Sequence, residues 1–198
     1  KPSSAASDVY KRQKLMNENQ KMSKAFIFSL KALEAYRKFM VVVALWSLWA
    51  IFFSNLEYMF IGKILFSFVA FGLSFMPLLV DFNESHATNP LWTGHARFHL
   101  VWQVTALTMT GLIVILLLWV FPSVSNTIIS IVLLYIWLIC FFIAWLAMPI
   151  YGGKPNDVNG VPPVNMNFFG KQYEVDRNLQ GIVSATILCT YASIIVYI

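Results

Sequence analysis

Three side chains carry most of this chain's capacity for chemistry: His86, His95 and His99, which are all of its histidines. They fall in the stretch 81–103, DFNESHATNPLWTGHARFHLVWQ, together with the carboxylates Asp81 and Glu84. Imidazole changes charge near neutral pH, so it serves as base, acid or metal ligand. Asn89-Pro90 interrupts the chain, and Asn89 or Thr93 can cap a helix that starts near Trp92. On that helix His95, His99 and Gln103 stand at i, i+4 and i+8, one above another on a single face, with Trp92 and Trp102 flanking the stripe. Two imidazoles four residues apart can share one metal ion, and His86 with Asp81 or Glu84 supplies further ligands. The expected metal ligands are therefore His86, His95 and His99. The metal would be zinc, copper or iron, among which the spacing does not choose. Around them Asp81, Asn83, Glu84, Asn89, Trp92, Arg97 and Gln103 are the expected ligand-contacting residues. The competing reading is plainer. Aromatic, His and Arg side chains also gather at membrane interfaces, where Arg97 and the histidines would meet lipid phosphate or helix-end carbonyls.

The elements that must hold this stretch are apolar. The chain is 59% hydrophobic and 12% charged, with a mean hydropathy of +0.68. A soluble domain carries about a quarter charged residues. The pattern is that of an all-α polytopic membrane protein, a bundle of four or five transmembrane helices. Spans are expected at 39–54, 59–80, 99–121, 126–149 and 179–198, within a single transmembrane domain covering 22–198. The last is the least typical, because Ser184, Thr186, Thr190 and Ser193 favour packing against other helices over lipid. Before the first span, 22–38 places Phe26, Leu30 and Leu33 at helical spacing while Lys24, Lys31 and Lys38 recur every seven residues. That is an N-terminal interfacial amphipathic helix running into the first span. Cys140 and Cys189 lie in apolar runs and read as small buried hydrophobes, not a disulfide.

Charge sets the expected orientation. With five spans, thirteen of the fourteen Lys and Arg residues fall on one side, and Lys63 alone falls opposite. The positive-inside rule then places the N-terminus and the His-rich loop on the cytoplasmic side. The loop YGGKPNDVNGVPP shares that side and reads as a series of turns. Its Asp157 and Asn159 could reach across to the histidines, but in such a loop they read first as turn formers. Met76-Pro77 and Met148-Pro149 each precede one of these two polar loops, a pattern that fits a weak duplication of two-helix hairpins and equally a chance recurrence of a short pair.

The pattern Asp81, Asn83, Ser85, His86, Asn89, Pro90, Trp92, His95, Ala96, Arg97, Phe98, His99, followed by YGGKPNDVNG, resembles a family of small uncharacterised multi-spanning membrane proteins carrying an N-P-x-W-x-x-H-A-R-F-H motif. The resemblance implies the fold and the location of the site, and no reaction. Separately, residues 1–13, KPSSAASDVYKRQ, resemble a translated sequencing-adapter artefact, so 1–21 is expected to be a disordered or artefactual tail and the native start to be Met16 or Met22.

Two function classes remain. One is a membrane-embedded, metal-dependent enzyme acting on a hydrophobic or lipid-like substrate that enters from the bilayer. The other is a non-catalytic protein that binds or transports a ligand, a lipid or a proton. No acidic or basic residue lies deep in the last three spans, which argues against a midplane ion-coupled transporter. There is no P-loop and no dinucleotide fingerprint, so the expected partners are the lipid bilayer and a hydrophobic small molecule, not nucleic acid.

Overall fold

The computed structural model describes residues 23–89, 91–156 and 160–197. Residues 1–22, which hold the expected tail and both candidate start methionines, and Pro90, Asp157 and Asn159 lie outside the described residues. Within them are five helices, each long and apolar enough to cross a membrane: α1 Lys24–Phe53, α2 Tyr58–Asp81, α3 Gly94–Trp119, α4 Val124–Tyr151 and α5 Arg177–Tyr197. The last apolar run is thus a helix of the same kind as the others.

Helix ends follow from local chemistry. Ser23, Thr93 and Ser123 each accept a hydrogen bond from the backbone N–H three residues on, which satisfies an orphan donor of α1, α3 and α4 respectively. Of the two expected caps for α3, Thr93 is the one used. Asp176 serves α5 in the same way, its Oδ1 accepting from Leu179 N at 2.9 Å. Gly152 closes α4 in the left-handed region at φ 66°, where a side chain would be strained. No Gly or Pro interrupts 23–53, so the basic amphipathic segment and the first span form one continuous helix of 30 residues. Pro77 and Pro149 lie inside α2 and α4 near their ends.

α2 is the hub. It packs against α1, α3 and α5 and more lightly against α4, so the two proposed hairpins are not equivalent in packing. Ile61, Leu65, Phe66, Val69 and Ala70 are buried along its length. Two glycines permit close approach. A Cβ at Gly62 would strike the Val196 side chain of α5, and one at Gly111 of α3 would strike Ser74 of α2. At the second crossing Ser74 Oγ donates to Leu107 O at 3.1 Å and Thr108 Oγ1 to Ser74 O at 3.3 Å. Small and hydroxyl residues at helix contacts are how membrane helices associate where burial of apolar area contributes nothing. The outward faces carry large apolar groups such as Phe52, Leu146 and Ile150, as lipid contact requires. Cys189 is buried, as expected; Cys140 is exposed on the outer face of α4, contrary to expectation, and both are free thiols.

Between α4 and α5 the polar segment forms an antiparallel hairpin, β1 Val164–Phe168 with β2 Lys171–Val175. Its two-residue turn has positive φ at both Phe169 (49°) and Gly170 (78°), the geometry that matches strand twist. The residue pattern alone points only to turns and a solvated rim here, so the hairpin is an addition.

Candidate functional site

The loop 82–93 is built by its amides and one serine. Past the end of α2, Asn83 Nδ2 donates to Leu79 O at 3.3 Å and to Val80 O at 2.8 Å, while its Oδ1 accepts from Ser85 N at 2.9 Å. One side chain thereby satisfies two carbonyls at a helix end and starts the return of the chain. Ser85 Oγ donates to Val80 O at 3.1 Å. Asn89 Nδ2 donates to Ser85 O at 3.0 Å and its Oδ1 accepts from Leu91 N at 3.0 Å. Asn83, Ser85 and Asn89 are all buried. Asn83 and Asn89, expected to contact a ligand, both hold the backbone, and Asn89 also lines the chamber beside His86. Glu84 also holds backbone, since its Oε1 accepts from Ser23 N at 3.0 Å and ties the loop to the start of α1. Burial works to raise the Glu84 pKa, but hydrogen bonds from Ser23 and from its own backbone prevail and hold it below the ordinary value. Beneath this loop Phe26, Val80 and Val161 form a small apolar core that joins α1, α2 and the segment after α4.

This framework fixes His86. Its Nδ1 lies 2.8 Å from Ser85 Oγ and 3.4 Å from Asp81 Oδ1. Ser85 Oγ stands within hydrogen-bond reach of both Val80 O and the ring: with its proton given to Val80 O it accepts from Nδ1–H, the tautomer that leaves Nε2 with its lone pair. Burial penalises the charged ring and lowers the His86 pKa from its ordinary 6.5. Trp92 meets the ring edge to face, with centroids 5.3 Å apart and planes at 83°. His86 and Trp92 line a chamber of about 90 Å³ whose far wall comes from Lys154 and Asn156 after α4 and from Asn178 in α5. Sequence reasoning missed Lys154 and Asn156, because side chains in a Gly/Pro-rich loop read as turn formers, and Asn178, because it opens the last apolar helix. The only available signal was that this loop returns to the same end of the bundle.

His95 and His99 are elsewhere in kind. They share one face of α3, as their spacing requires, with Nε2 atoms 3.0 Å apart and ring planes at 89°. One ring donates and the other accepts. His99 stacks on Trp102 with centroids 5.9 Å apart, and Phe98, Trp102 and Gln103 are exposed beside them. Arg97 is half-buried, with its Nε enclosed and without a hydrogen-bond partner among the described residues. His86 does not join the pair. Among the described residues no three His, Cys, Asp or Glu side chains are grouped to hold a metal ion. The expected three-histidine ligand set is therefore divided in two. The physical reason is the loop: its buried amides turn His86 toward the segment after α4, while the Thr93 cap starts α3 so that His95 and His99 face outward.

No protein family, curated protein or solved structure matches this chain.

Proposed function

We propose that this is a membrane enzyme acting on the polar head of a hydrophobic or lipid-like molecule, with the His86 chamber as the reacting site. His86 is the proton acceptor, its Nδ1–H engaged by Ser85 and Asp81 and its Nε2 free toward the chamber. Lys154 offers positive charge for developing negative charge, and Asn156 and Asn178 offer amides for orientation. About 90 Å³ admits a polar head and excludes an alkyl chain, which stays in the bilayer. The observation that carries this reading is the placement of His86, its Nδ1 2.8 Å from Ser85 Oγ and 3.4 Å from Asp81 Oδ1 at the wall of a lined chamber. By the positive-inside rule the chamber faces the cytoplasm, since eight of the nine Lys and Arg among the described residues lie toward its end of the bundle and only Lys63 lies opposite.

A second reading, non-catalytic binding or transport of the same molecule, has one observation in its favour. Ser85, the hydroxyl in the chamber wall, is spent on Val80 O and sits at Nδ1, so water would have to be the nucleophile.

Histidine ring nitrogens labelled with nitrogen-15 test the premise in detergent-solubilised protein. His86 should titrate below the other two rings and show hydrogen on Nδ1; a ring charged at neutral pH ends both readings. Turnover of long-tailed ester and phosphoester amphiphiles separates them. His86→Gln should lower turnover by about a hundredfold or more, the usual weight of a general base. Binding of these amphiphiles without turnover selects the second reading.

A further inference from the structure

A second concavity lies away from the histidines. One face of α1 carries Ile27, Lys31, Glu34 and Lys38, and with Arg177 at the start of α5 it walls an open groove of about 560 Å³. The cations in it are poorly matched. Glu34 is its single carboxylate, and that side chain is engaged by Arg37 at 3.2 Å and Lys38 at 3.9 Å. Lys31 has no ion pair among the described residues. Arg177 Nε donates to Pro162 O at 2.7 Å, which steadies the guanidinium and leaves its other nitrogens without a hydrogen bond among the described residues.

The depth of the groove makes this imbalance informative. The uncharged part of α1, 39–53, rises about 22 Å at 1.5 Å per residue, short of the ~30 Å of hydrocarbon in a bilayer. Tyr36 OH donates to Phe68 O at 2.6 Å and the Phe39 ring packs on Phe68 at 5.3 Å, well inside the end of α2 at Asp81. Lys31, Lys38 and Arg177 therefore stand at the headgroup boundary or below it. Glu34 is one carboxylate among these three cations and Arg37, so net positive charge remains; at that depth it is costly, and the anions available there are lipid phosphates. Toward the bilayer centre the same helix face continues through Val42, Leu45 and Trp49, which are 54%, 61% and 54% exposed and spaced for an extended chain to lie along them.

We propose that this groove binds one anionic phospholipid, its phosphate held by Lys31, Lys38 and Arg177 and an acyl chain lying on Val42, Leu45 and Trp49. This site does not depend on the His86 chamber. Native mass spectrometry of the full chain in detergent, offered dioleoylphosphatidylglycerol and dioleoylphosphatidylcholine in equal amounts, tests it. One phosphatidylglycerol should be retained with a preference of about tenfold, and Lys31→Gln with Lys38→Gln should bring the preference close to parity. Both lysines are exposed and donate no hydrogen bond among the described residues, so this variant keeps its fold even where Arg177→Gln does not. Lys63→Gln, at the other end of the bundle, should leave the preference intact. Equal retention of the two lipids overturns the proposal, and so does a double variant that keeps the preference. Displacement of the lipid by free glycerol 3-phosphate also overturns it, because the site would then read phosphate without a chain.

Discussion

His86 and the His95–His99 pair are the same residue type in one short stretch, and the fold treats them oppositely. His86 sits in a loop fastened by the buried side chains of Asn83, Ser85 and Asn89, so its position and its neighbours are imposed. His95 and His99 stand on the first turns of a helix, where register alone brings them together and their outer surface stays open. Histidine spacing thus reports which rings share a helix face and nothing about the rings in the loop before it. Two kinds of polar residue separate in the same way. Asn83 and Asn89 look as available as Gln103 in the sequence, yet the first two are consumed by the backbone and the last is exposed.

The largest effect should come from undoing the loop. Asn89→Ala removes the donor to Ser85 O and the acceptor for Leu91 N at a position only 3% exposed. Leaving buried polar groups unpaired costs about 1–3 kcal/mol each, so a loss of roughly 2–4 kcal/mol is expected. His99→Ala, at an exposed position, should cost less than about 0.5 kcal/mol. Denaturant unfolding in detergent micelles measures both. Equal losses would break the comparison, because the helix pair would then be as structural as the loop.

An intermediate effect should appear with pH. The folded His86 pKa is lowered by burial, so as pH falls through about 6.5 the unfolded chain takes up a proton that the folded chain refuses. Stability is therefore full above that value and declines below it, until the folded ring also protonates. Asp81 lies 3.4 Å from the ring, so the measurement belongs in an Asp81→Asn background. Melting temperature against pH should lose this slope in His86→Gln. A slope that survives would place its origin outside the chamber.

How far these features could be read from sequence depends on what kind of interaction fixes each. Apolar runs define helices through backbone satisfaction in the membrane, and that requirement is local, so α2 and α4 begin and end within two residues of the expected spans. α3 starts at Gly94, close to the helix start expected near Trp92 and ahead of the apolar span from 99, because a helix continues through His95 and Arg97 once Thr93 caps it, whatever their polarity. The hairpin was illegible because Phe169-Gly170 occupies a turn that Asn-Gly usually signals, and φ of 49° at a phenylalanine is a poor prior. In the site, the His95–His99 contact follows from i, i+4 spacing. The partnership of His86 with Lys154 and Asn178 follows from two loops meeting at the end of a bundle, which periodicity does not encode. Nor does sequence show that a loop amide points inward to carbonyls, since inward and outward asparagines are written alike.

The finest discrimination is expected from metal binding, where the comparison predicts no effect at one of the three histidines. In a tetrahedral zinc site with Zn–N near 2.0–2.1 Å, two ligating nitrogens stand roughly 3.3 Å apart. The Nε2 atoms of His95 and His99 are 3.0 Å apart, so a small rotation of the rings replaces their hydrogen bond with a shared ion. His86 cannot contribute without releasing the loop, because Ser85 and Asn89 hold it against the opposite wall. Titration of purified protein with zinc, and with cobalt for its ligand-field spectrum, should give binding that is lost in His95→Gln and in His99→Gln and unchanged in His86→Gln. Because neutral imidazole is the ligating form, that binding should weaken as the solution is acidified. A convergent three-histidine site would instead lose affinity equally on all three substitutions. If His86→Gln behaves like the other two, loop and helix act as one site in the membrane, and the division drawn between them fails.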